Sequence, residues 1–427
     1  MRPDLELALA LMAALAVILT ASTICGRLAL WVGQPRVVGE MVAGILLGPT
    51  VFATVAPDTQ ASIFAPDVKS VLYVLSTIGL TYYMFLTGAA IDHSFLRIQQ
   101  VRRSALVALA GIVPPFALGA FTGWAYHNTF AGPNTDRLAF AIFLGGALSI
   151  TAFPMLARIL QERGIASSNI GSLTLLAGAV DDVVAWSLLA VVSAMATASG
   201  MGNAAIMVLG AVGFAVVMLT AGRRALAVLG RRVDRRGSLS HGEMAVVLVI
   251  VIVAGWITDM IGIHSVFGGF ICGLAIPHSP TLRRELRTRL MDVNMILLLP
   301  IFFAFSGLNT EIGGLTNWST LLAFLVIMIA SVAGKYGACA MATRLLGHSW
   351  REASAVGGLM NARGMMILIF VNIGLAHQMI TKELFSILVL VGVATTAAAL
   401  PIFRRSLPDS YWEKPTPRVR ELVVSSA

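Results

Sequence analysis

Charged side chains are scarce in this chain of 427 residues. Only 12% are Asp, Glu, Lys or Arg, about half the roughly 25% of a soluble domain. A water-soluble enzyme of this length would lack the surface to stay dissolved, and 57% hydrophobic residues exclude a disordered chain as well. Cysteine is nearly absent too. Cys25, Cys272 and Cys339 sit singly in apolar runs without C-x-x-C spacing, so they read as packing residues rather than a disulfide or zinc framework. Alternating segments of about ten residues, the signature of an outer-membrane barrel, are missing. Acidic residues are outnumbered 21 to 30, a net charge of +9. In a soluble protein that excess would suggest nucleic acid. Here it marks loops on one side of a membrane, and no nucleic-acid partner is expected.

What the chain has instead is apolar runs of about 20 residues, the length that crosses a bilayer as a helix. Thirteen are expected, near 5–28, 37–54, 70–91, 104–127, 137–160, 170–198, 203–222, 243–260, 262–278, 293–309, 319–343, 353–376 and 384–404. The first follows acidic residues and is too long for a signal-peptide core, so it reads as a retained span. Thirteen spans leave four loop Lys and Arg on the N-terminal side, Arg2, Lys69, Arg137 and Lys382, and twenty-four on the other. By the positive-inside rule the N-terminus lies outside and the C-terminus in the cytoplasm. The basic stretch Arg223–Arg236 reads as an orientation signal in contact with anionic lipid headgroups.

Three pairs of segments share patterns: VVGEMVAGILLGP (37–49) with SVFGGFICGLAIP (265–277), YYMFLTG (82–88) with FFAFSGL (302–308), and GGALSITAFP (145–154) with GGLMNARG (357–364). Spans 2, 3 and 5 thus match spans 9, 10 and 12. A separation of seven spans is odd, so matched units run in opposite directions, as in the inverted repeats of secondary transporters. The expected layout is a membrane domain over 1–404. Spans 2–6 at 37–198 and spans 9–13 at 262–404 are its inverted five-helix repeats, span 1 and spans 7–8 are peripheral or linking, and a cytoplasmic tail follows at 405–427. Spans 5 and 12 are interrupted near their middles, the first at Phe153 and Pro154, the second at Asn361, Arg363 and Gly364. Open backbone at that depth is tolerated only inside protein or against a water-filled cavity, so crossed half-helices around a substrate site are expected.

Four charges lie well inside apolar spans, away from their ends: Asp181, Asp182, Lys335 and Arg363. Each costs about 2.5–3.5 kcal/mol at a helix centre on the insertion scale. Asp181 and Lys335 sit at similar depths, which makes an ion pair feasible. Neighbouring helix positions point about 100° apart, so one aspartate can meet the lysine while the other faces a cavity. Such a carboxylate is what proton coupling requires and what a small alkali cation prefers as a ligand. Ser149 and Thr151 beside the break offer hydroxyl oxygens to a cation, or back-bond to their own helix. Arg363 is placed to neutralise half-helix ends, and Glu40 and His264 read as interfacial anchors.

The strings GEMVAGILLGP (39–49), LSITAFPMLARIL (148–160), GAVDDVVAWSLLA (178–190), LPIFFAFSGL (299–308) and GLMNARG (358–364) resemble the monovalent cation:proton antiporter-2 family of sodium/proton exchanger-like carriers. The resemblance runs over about residues 5–404. It implies the sodium/proton antiporter fold, all α-helical, in a homodimer whose six-helix core moves against a dimer domain. It further implies that Asp182 binds the cation or protons, that Asp181 pairs with Lys335, and that exchange is electrogenic. Longer relatives append a nucleotide-binding domain, but no G-x-G-x-x-G follows span 13 here.

The expected function is exchange of Na⁺, Li⁺ or K⁺ for H⁺ by an elevator-type alternating access, in the cell (plasma or inner) membrane and without a cofactor. A gated cation channel would need a continuous polar lining that no span carries. An organic-anion symporter of the same fold would not need the Asp–Asp–Lys set. An intramembrane aspartyl protease needs two carboxylates sharing one proton, and adjacent residues diverge too far for that.

Overall fold

The computed structural model describes residues 3–90, 98–153, 156, 159–160, 168–197, 201–262, 264–308, 310 and 317–407. Among these residues the architecture is all-helical, with a single isolated bridge between Ala131 and Ile380. The helices used below are α1 Pro3–Trp31, α2 Arg36–Leu47, α3 Pro66–Ala90, α4 Ile98–Phe130, α5 Arg137–Ser149 and α6 Asn169–Thr197. Helix α7 begins as Met201–Val217 and runs through a π turn, Met218–Gly222, into Arg223–Arg236. Then come α8 His241–Ile261, α9 Ser265–Leu274, α10 Pro280–Leu308, α11 Trp318–Leu345, α12 Trp350–Met360, α13 Gly364–Ala376 and α14 Lys382–Ser406.

Ten described helices are long and apolar enough to cross a membrane. Three shorter apolar ones, Arg137–Ser149, Ser265–Leu274 and Met366–Ala376, fill the remaining places of the thirteen spans read from sequence. Polar caps mark where the chain enters its helices. Asp136 accepts from the Leu138 and Ala139 amides, and Ser240 with Glu243 and Ser349 with Glu352 form capping boxes.

Hydrocarbon gives helices no solvent-driven reason to associate, so close backbone approach has to supply the contact. Glycines do this at several crossings, two of which correspond to each other. A Cβ on Gly44 of α2 would lie 2.1 Å from the Phe303 carbonyl oxygen of α10, and one on Gly307 would meet the Gly44 backbone. A Cβ on Gly273 of α9 would lie 2.1 Å from the Phe85 carbonyl oxygen of α3. Span 2 on span 10 thus has a counterpart in span 9 on span 3.

Two basic segments differ from the sequence reading. The stretch 223–236 is the helical end of α7, and α10 starts at Pro280, well before the expected 293. Leu226, Gly230 and Val233 fall at helical spacing between the arginines and are buried, as are Leu282 and Leu286. These stripes pack the two helix ends together, and the Ser279 hydroxyl donates to Asp234 at 2.8 Å. Glu40 also departs from the anchor role: it is buried in α2, 2.9 Å from the Arg36 guanidinium four residues earlier.

Candidate ion site

Helix α5 stops at Ser149, and Ile150 continues in extended backbone at φ −70° and ψ 138°. Helix α12 stops at Met360, and the chain turns through Asn361, Ala362 and Arg363 before α13 begins. Gly364 makes that restart with φ +50°, a left-handed conformation that suits glycine. Its amide donates to Thr396 Oγ1 at 2.8 Å. The two breaks meet. The Ala152 amide donates to the Ala362 carbonyl at 2.8 Å, and Thr151 Oγ1 donates to the Met360 carbonyl at 2.8 Å. Backbone groups freed by one interruption are thus satisfied by the other, which is how open backbone survives at membrane depth.

The four intramembrane charges gather at this crossing, all of them at most 1% exposed. Lys335 sits in a π turn of α11, Ala333–Gly337; such turns recur at functional positions because they re-aim a side chain. Its Nζ donates to Asp181 Oδ2 at 2.9 Å, to the Gly111 carbonyl of α4 at 2.9 Å, and to the Ser149 carbonyl. Arg363 donates to the Ala147 carbonyl at 2.9 Å and, more weakly, to the Ser331 carbonyl at 3.4 Å. Ala147 and Ser149 belong to the last turn of α5, whose carbonyls lack helical donors and carry the negative end of the dipole. Both cations therefore compensate a helix terminus, and Lys335 compensates the Asp181 carboxylate as well. Asp182 is fully buried one residue beyond Asp181, turned about 100° around α6.

The hydroxyls divide. Ser149 Oγ back-bonds to the Gly146 carbonyl of its own helix at 2.9 Å, whereas Thr151 Oγ1 bridges to the other break. Asn361 is buried with Oδ1 without a partner among the described residues, and Phe153 packs towards Gly178. Pro154 lies outside the described residues.

Sequence reasoning overlooked the Gly111 carbonyl, although the Pro114–Pro115 pair in mid-span was a visible signal. It also overlooked Thr396 behind Gly364, and a contact at the edge of the core. There Asn372 Nδ2 of α13 donates to Ser306 Oγ of α10 at 2.7 Å, beside a cavity of about 330 Å³ lined in part by Tyr73, His264, Phe305 and His377. His264, read as an anchor, caps α9 and faces that cavity.

Interrupted helices crossing at buried, compensated charges define a polytopic membrane carrier of the sodium/proton antiporter fold. Residues 13–404 match the sodium/hydrogen exchanger transmembrane family, and the chain belongs to that family of cation:proton antiporters. It is 36% identical to the Na(+)/H(+) antiporter NhaS4 of Synechocystis, over 95% of this chain and 99% of that protein. Identity to cation/H(+) antiporter 19 of Arabidopsis thaliana is 35%, over 86% of this chain but 46% of the plant protein; the chain spans less than half of such longer relatives. The fold matches the sodium proton antiporter MjNhaP1 of Methanocaldococcus jannaschii with a TM-score of 0.62 at 15% identity, covering 96% of this chain and 99% of the other.

Proposed function

We propose that the protein exchanges a monovalent cation, Na⁺, Li⁺ or K⁺, for protons by alternating access, with Asp182 as the shared carboxylate. The observation that carries this reading is the buried Lys335–Asp181 pair at the crossing of the two breaks. It neutralises one aspartate of the adjacent pair and leaves the other turned to a different side of α6. Proton-bound and cation-bound forms of a single carboxylate exclude one another, which is sufficient for obligatory exchange. Ser149 and Thr151 flank the route, and Arg363 compensates charge.

The remaining features form one scheme. Spans 2–6 and 9–13 are inverted repeats, supported by the paired crossings of span 2 on span 10 and span 9 on span 3. The core moves against a dimer domain in a homodimer of the cell membrane. The N-terminus lies outside, and the arginines of Arg223–Arg236 meet anionic headgroups. The protein acts as a carrier rather than an enzyme, with no cofactor.

Everted membrane vesicles holding a ΔpH-sensitive dye decide the matter. Addition of at least one of Na⁺, Li⁺ or K⁺ should collapse the proton gradient, in proportion to the amount of protein. No response to any of the three would remove the antiport reading.

A further inference from the structure

Lys335 has an unusual set of partners. A lysine ammonium carries three N–H donors and no acceptor, and three oxygens surround Nζ: the Asp181 carboxylate and the Gly111 and Ser149 carbonyls. They come from three elements, α6, α4 and the end of α5. Both carbonyls are available because a helix has been denied a donor. Ser149 ends α5, so no residue one turn further on reaches its carbonyl. Gly111 lies inside α4, where the amide of residue 115 would normally occupy its carbonyl in the i to i−4 ladder. Residue 115 is proline and has no N–H.

We propose that Pro115 is a positioning residue for ion exchange: by withholding an amide from the Gly111 carbonyl it builds the third acceptor of a seat for the Lys335 ammonium. The seat selects the charged form. A neutral amine has two N–H donors and a lone pair, and the lone pair would face an oxygen. Release of the lysine proton is therefore coupled to the geometry of α4, a helix that carries no charge at this level. The competing account treats the Pro114–Pro115 pair as a kink for packing alone. Pro115 does pack there, since a Cβ on Gly334 would lie 2.8 Å from its Cα. The two accounts separate because alanine keeps the Cα and Cβ of Pro115 while restoring the N–H.

The titratable groups acting on Lys335 are Asp181 from α6, Arg363 from the α12–α13 break and Cys339 from its own helix, with Asp182 next to Asp181. None of these changes in Pro115→Ala, so a shifted titration reports the lost acceptor. The inference rests on the antiport reading for its transport readout, and a second readout is independent of it.

In proteoliposomes, Pro115→Ala should move the pH of half-maximal exchange about one unit towards acid, the size expected for one hydrogen bond to a charged group. Pro114→Ala, which restores a donor to Ala110 rather than Gly111, should keep the wild-type profile. Without transport, the melting temperature of the protein in detergent is followed against pH. The inflection that Lys335→Gln removes should move to acid in Pro115→Ala by a similar amount. If Pro115→Ala fails to fold, Pro115→Gly replaces it, because glycine restores the same N–H and should shift both curves the same way. A folded Pro115→Ala with wild-type curves in both measurements, or equal shifts from Pro114→Ala, would overturn the proposal. An inactive wild type with a shifted melting curve would instead count against antiport and leave the seat standing.

Discussion

At the scale of single residues, chemistry is concentrated in four charges that hydrocarbon should reject. Their cost on insertion is what made them legible: an aspartate or lysine in mid-span demands a partner, comparable depth makes a pair of Asp181 with Lys335 feasible, and the family resemblance assigns it. Of the carbonyls around Nζ, that of Ser149 was not legible, because its availability depends on where α5 stops, whereas that of Gly111 was signalled by a proline four residues on and overlooked. Asp182→Asn keeps the shape of the carboxylate but cannot titrate. It should abolish exchange while the protein inserts and folds normally, whereas Asp182→Glu should keep partial exchange with a displaced pH profile. Wild-type transport by a well-expressed Asp182→Asn protein would remove Asp182 from the mechanism. Lys335→Gln addresses charge movement. If the lysine releases a second proton as the cation binds, its replacement should stop exchange or strip it of dependence on membrane potential. Voltage dependence equal to wild type would confine Lys335 to holding Asp181.

At the scale of elements, spans were legible from length and hydropathy, while their crossings were only partly so. Glycines in 39–49 and 265–277 marked both segments as similar, yet which carbonyl each would touch is a tertiary fact. The basic ends of α7 and α10 were misjudged for a related reason. Arginines dominate their composition, and buried stripes of three residues in α7 and two in α10 become meaningful only when the other helix end lies alongside. Glycine at a crossing and glycine facing outward should behave differently under one substitution. Gly44→Ala drives a methyl into the Phe303 carbonyl and should cost on the order of 1–3 kcal/mol, as overpacking does. Gly213→Ala, with nothing within 4 Å of its new Cβ, should be neutral or slightly stabilising through helix propensity. Thermal unfolding in detergent compares the two directly. Equal melting temperatures for both variants would mean that the α2–α10 backbone contact does not hold the fold.

At the scale of the whole molecule, the ion site belongs to α4, α5, α6, α11 and the α12–α13 pair, which satisfy one another's broken backbone. Packed against them are α2, α3, α9 and α10, whose contacts with each other are glycine-close. This division suits a core that slides as a body against a scaffold, and the Asn372–Ser306 bond between α13 and α10 lies across it. If α13 travels with the core and α10 stays with the scaffold, as proposed, an elevator motion must break that bond in every cycle. If both residues are replaced by cysteine, oxidative cross-linking should arrest exchange and a reductant should restore it. Wild-type protein given the same oxidant should remain active, since Cys272 and Cys339 are buried and Cys25 is partly so. Full activity of a quantitatively cross-linked pair would show that α13 and α10 do not move relative to one another. Transport would then have to proceed through local gating at the crossing of the two breaks.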